Sequence, residues 1–67
     1  MTGDELREIR TTALRLTQSE FALAVGVSGD RTVRKWETGE RPVPPAVAKL
    51  AELLEKAMRG PNNGELK

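Results

Sequence analysis

The sequence contains no cysteine and no histidine. Without cysteine there is no disulfide framework and no thiolate metal site. Without histidine there is neither imidazole zinc ligation nor a histidine general base. These two absences remove most small-domain chemistry, and no pair of the remaining carboxylates and lysines stands at a catalytic spacing. The expectation is a chain with no catalytic residue, no metal site, no cofactor and no small-molecule ligand. Long apolar runs are also missing: none approaches the ~20 residues of a membrane-spanning helix. The start, "MTGDELREIR", is charged and lacks the apolar core of a signal peptide. A soluble, cytoplasmic protein without membrane contact is expected. Nor does any alternating β-branched or aromatic run persist long enough to make a strand.

What the chain does have is helical punctuation. Its 67 residues allow one domain at most, burying about 60% of the unfolded surface, too little for a deep catalytic cleft. Thr2 and Glu5 have capping-box spacing, and Leu6, Ile9, Ala13 and Leu14 recur at helical intervals, predicting a first helix over about 3–14. Thr17 and Glu20 repeat the box ahead of Phe21, Ala22 and Val25, predicting a second helix over 18–25 that Gly26 ends. Val33 and Trp36 mark the inner side of a third, 30–38, stopped by Gly39. "ERPVPP" is a stiff loop, since proline restricts itself and the residue before it. Pro45 suits a first helical turn, and Val47, Leu50, Ala51, Leu54 and Met58 mark one face of a fourth helix, 45–59. Residues 1–60 therefore form the expected domain, and the polar tail 61–67 is expected to be disordered.

The most informative stretch is "GVSGDRTVRKWETG", residues 26–39, with three basic side chains on a short helix and a lone tryptophan. Net charge is only +1, so a nucleic-acid partner must be argued from where the charges sit. With Val33 and Trp36 inward, Arg34 and Lys35 lie on the opposite, exposed side, and Asp30 and Arg31 one turn earlier. Two short helices joined by a tight glycine turn must cross steeply, the arrangement of a helix-turn-helix.

At this level of detail "LTQSEFALAVGVS" followed by "TVRKWETG" resembles the lambda-type repressor and Cro (XRE) family of DNA-binding proteins over about residues 5–55. The shared features are Leu16-Thr17-Gln18, Ala22 at the helix crossing, Gly26 in the turn, Val33 and Trp36 in the core, and Glu37 and Gly39 closing the third helix. The resemblance implies an all-α, four-helix domain, with room for a short extra C-terminal turn. It also implies base reading by Asp30, Arg31, Arg34 and Lys35. An arginine can bond bidentately to guanine, and a carboxylate can accept from cytosine N4. Phosphate contacts are expected at Thr17, Gln18 and Ser19, where a helix N-terminus attracts anions, and at Ser28, Thr32 and Arg41. The resemblance further implies a structural ion pair between Arg10 and Glu37, and Trp36 is expected in the core rather than stacked on a base. Two departures stand out. Arg15 replaces the usual glycine of the first turn, so the first helix is expected to end differently. Gly26 and Val33 are also one residue further apart than usual. Capping with Gly29 absorbs that residue in Val27-Ser28 and preserves the phase of Val33.

One recognition helix covers only a few base pairs, and such proteins pair so that two helices reach successive major grooves about 34 Å apart. Leu53, Ala57 and Met58 lie partly outward, as peripheral packing or as a dimer surface. The function expected is a sequence-specific transcriptional regulator. It would be a phage or mobile-element repressor, binding a palindromic double-stranded DNA operator as a homodimer and thereby associated with the nucleoid. An anti-CRISPR-associated repressor and the antitoxin of a toxin–antitoxin operon are alternatives within that class. A protein-interaction module on the same fold is the alternative outside it, and an enzyme is remote.

Overall fold

The computed structural model describes residues 1–59, with the Arg59 side chain left out; the tail expected to be disordered lies outside the described residues. Four α-helices are present among them: α1 (Gly3–Glu8), α2 (Gln18–Val25), α3 (Asp30–Glu37) and α4 (Pro45–Arg59). Between α1 and α2 the first helix continues as a π-helical segment, Ile9–Leu14. No strand occurs among the described residues, and the fold class is all-α.

Both capping boxes form. Thr2 Oγ1 accepts from the Glu5 N–H at 3.1 Å while Thr2 N–H donates to Glu5 Oε1 at 2.8 Å. The same reciprocal pair links Thr17 and Glu20, again at 3.1 and 2.8 Å. Each box satisfies donors that a helix start would otherwise leave to solvent. The hydrogen bond from the Thr2 backbone N–H also holds the Glu5 carboxyl below the usual glutamate range.

The first helix does end differently, as the Arg15 substitution suggested, and the mechanism is a widening of its last turns. Arg15 takes the left-handed conformation itself, φ 55° and ψ 42°, and its N–H donates to the Arg10 carbonyl. Leu16 N–H reaches the same carbonyl at 3.0 Å. The Arg15 bond is a five-residue return in place of the α-helical four, and the Leu16 bond spans six, so the extra backbone is accommodated inside the helix.

Leu6, Leu14, Phe21, Ala22, Val33, Trp36, Val47 and Ala51 form the buried core. Val33 is fully buried and Trp36 nearly so, placing the tryptophan in the core as expected. Leu50, which the apolar periodicity of α4 groups with Val47, is instead 39% exposed, because Ala51 occupies the core-facing position beside Val47. Leu53 and Met58 are exposed more strongly, at 53% and 63%, and Ala57 is exposed as well.

One contact that sequence periodicity does not announce fixes α1 against α3. A Cβ built on Gly3 would lie 2.2 Å from the Trp36 carbonyl oxygen and 2.8 Å from that of Glu37. The start of α1 thus presses on the last carbonyls of α3, bringing a positive helix end against a negative one. Only glycine permits that approach.

Candidate nucleic-acid interface

The interface is built from the α2–α3 unit. Gly26 ends α2 in the left-handed conformation, φ 80°, with Val27 N–H donating to the Ala22 carbonyl at 2.9 Å. The turn then runs through Val27 and Ser28 to Gly29, which stands at the N-cap of α3 in extended geometry. Helix α3 therefore starts at Asp30, not at Ser28, and the added residue is taken up by the turn. Its phase follows from the core: with Val33 and Trp36 inward, Arg31 and Arg34 are exposed, and Lys35, Thr32 and Asp30 are half-buried.

Asp30 has a nearer partner than a base. Its Oδ2 lies 3.8 Å from Arg34 Nη2 in an i,i+4 pair whose side chains are 49% and 62% exposed. A pair so wet contributes little to stability. It does bias Arg34 to lie along the helix, and Asp30 also sits where the positive end of α3 favours a carboxylate. After α3, Gly39 turns the chain at φ 84°, and Arg41 is exposed with its own N–H held by the Lys35 carbonyl at 3.1 Å.

Behind this face, Arg10 crosses from the π-helical segment. Its Nε lies 2.6 Å from Glu37 Oε2 and its Nη2 donates to Glu37 Oε1 at 3.1 Å, a bidentate fork. The remaining arm, Nη1, donates to the Leu16 carbonyl at 2.8 Å. The two side chains are only 10% and 4% exposed, and Arg10 is the buried charged residue of the described core.

The structure places Gln18 and Thr17 differently from the simple expectation of free phosphate donors. Gln18 Nε2 donates to Glu37 Oε1 at 3.1 Å, so this amide completes the Arg10–Glu37 network. Thr17 N–H, expected to be free, is taken by Glu20 Oε1. The backbone N–H groups of Gln18 and Ser19, at the first two helical positions, remain without an intrahelical acceptor. Ser19 and Ser28 are exposed. Sequence reasoning missed the Gln18–Glu37 link because the residues are 19 apart, and the glutamine's place in the helix-turn-helix was its only signal. It also passed over Leu23, 82% exposed on α2.

Two short helices packed against each other, a left-handed glycine between them and a basic outer face on the second define a helix-turn-helix DNA-binding domain. The model of the HTH_3 helix-turn-helix family matches residues 6–59, and the chain belongs to this family of lambda-repressor (XRE) type, a family of DNA-binding regulators. It is also similar to the Type II methyltransferase M.SsoII of Shigella sonnei, with 48% identity over 44 residues. That match covers 63% of this chain and 11% of the methyltransferase, so the chain spans about a tenth of the length of that relative. No solved structure matches the chain with significance. Among the described residues, no helix is long and apolar enough to cross a membrane.

Proposed function

We propose that this DNA-binding chain is a sequence-specific transcriptional repressor of phage or mobile-element type, acting as a dimer on a palindromic operator. Helix α3 enters the major groove, where Arg31, Arg34 and Lys35 reach base edges. Asp30 steers Arg34 or accepts from a cytosine. The free N–H groups of Gln18 and Ser19 grip one phosphate, with Ser28, Thr32 and Arg41 on neighbouring ones. Repression follows from occupancy alone: a protein seated on the operator excludes polymerase without any chemistry.

The observation that carries this reading is the exposure of Arg31 and Arg34 on the face of α3 opposite fully buried Val33. That arrangement displays cations on a helix that fits a major groove. A protein-interaction module would want an apolar face there. Selection of bound sites from random duplex DNA tests the proposal. A two-fold-symmetric consensus is expected, with affinity falling steeply as salt rises and a preference of roughly 10³-fold or more over random duplex. Binding indifferent to both sequence and salt would refute it.

A further inference from the structure

Among the exposed cations, Arg15 has no part in the contacts proposed so far. Its backbone is fixed on both sides. The Arg15 N–H donates to the Arg10 carbonyl, Leu16 N–H reaches the same carbonyl, and the Leu16 carbonyl accepts from Arg10 Nη1 at 2.8 Å. The side chain, by contrast, is exposed, and among the described residues its guanidinium has no hydrogen-bond or ion-pair partner. Two carboxylates bonded to the neighbouring backbone and side chains are already engaged. Glu20 closes the capping box on Thr17 N–H, and Glu37 takes Arg10 and Gln18. A rigid stem with a free cationic head is thus presented just ahead of α2.

Gln18, the first residue of α2, is three residues further on, so at most about 11 Å separates the two Cα atoms. An extended arginine covers most of that span. One group at the start of α2 works against an anion: the Glu20 carboxylate, held in the first turn by its capping bonds, puts a negative charge beside the place a phosphate would take. A phosphate gripped by the Gln18 and Ser19 N–H groups needs a cation to offset that charge. Arg15 is the unpaired cation closest to them along the chain.

We infer that Arg15 is a phosphate-contacting residue, extending the α2 clamp along the DNA backbone away from the groove that α3 enters. The inference rests on the reading of α2 as a phosphate clamp and adds to it a charged residue. The planar guanidinium fork matches two phosphate oxygens. Such a contact carries no sequence information, so Arg15 strengthens operator and random duplex alike, unlike Arg31 and Arg34. A purely structural role makes a different prediction. A cation at the C-terminal end of the first helix complements its dipole, and its removal would then leave DNA affinity unmoved.

The Arg15→Gly, Arg15→Gln and Arg15→Lys proteins are titrated into fluorescein-labelled random duplex and selected operator over a series of salt concentrations, with a melting curve for each. Glycine adopts the left-handed conformation without strain, so weaker binding by Arg15→Gly is not a folding defect. Arg15→Gly and Arg15→Gln should each lose several-fold affinity for both DNAs at low salt, with the preference for operator unchanged. The slope of log affinity against log salt should flatten by about 0.9 for each bound copy, and Arg15→Lys should keep the parent slope. A parent-like slope in the glycine and glutamine variants, or a slope lost in the lysine variant too, would overturn the inference. The two levels of argument separate in the unmodified chain. If it binds with salt dependence and sequence preference and the variants match it, only the role of Arg15 falls. If it binds with neither, the regulator reading fails and this inference with it.

Discussion

Arg10 holds three parts of the molecule with one side chain: the π-helical segment it leaves, the Leu16 carbonyl, and Glu37 at the end of α3. Truncating it leaves the Glu37 carboxylate buried with only the Gln18 amide, and breaking a buried pair in this way costs about 3–5 kcal/mol. In a domain this small that is most of the stability. Arg10→Ala should therefore be largely unfolded near 37 °C by thermal melting, losing DNA binding as a consequence; an unchanged melting curve would contradict the assignment. Gly3 is the other single-residue anchor. Gly3→Ala forces a methyl onto backbone oxygens that belong to α3, and the shift should cost about 1–3 kcal/mol in denaturant titration. Arg10 and Glu37 were legible in the sequence only through family resemblance, since nothing local links residues 27 apart. Gly3 was not legible: at the start of a helix a glycine looks like a weak former, and its reason lies in a neighbour far along the chain. Leu50 was misplaced because helical periodicity gives a face but not which edge of it the small core reaches.

At the scale of elements, α2 and α3 could be read almost residue by residue. Capping pairs and left-handed glycines are local signals, and here local chemistry agrees with tertiary packing. The widened end of the first helix was visible only as a missing glycine. Arg15 occupies a left-handed position that costs a non-glycine residue roughly 1 kcal/mol. Arg15→Gly should raise stability by about that amount in chemical denaturation, and a loss of stability would show that the arginine makes a compensating contact. The start of α3 offers a second test. Gly29 caps without a side-chain hydrogen bond, in extended geometry open to any residue, and no atom lies within 4 Å of the place a Cβ would take. Gly29→Ser supplies the missing acceptor and should add a few tenths of a kcal/mol, seen as a small rise in melting temperature. A fall would mean that the turn needs glycine for a reason other than capping.

For the whole molecule, a net charge of +1 conceals segregation. Arg31 and Arg34 stand out on α3 with Arg41 just beyond it, while Glu5, Glu8, Glu52 and Glu55 line a cleft between α1, the π-helical segment and α4. A near-neutral domain can then present a positive face to a polyanion, which bulk composition cannot reveal. The central claim is that this face reads sequence through α3. It is tested most directly by the affinity of the Arg31→Ala, Arg34→Ala double variant for the selected operator and for random duplex, by fluorescence anisotropy at fixed salt. The account predicts an unchanged melting temperature and a preference for the operator reduced by about 10²-fold or more, since each bidentate contact discriminates by about 1–3 kcal/mol. A folded double variant that keeps the full preference of the parent protein would contradict it.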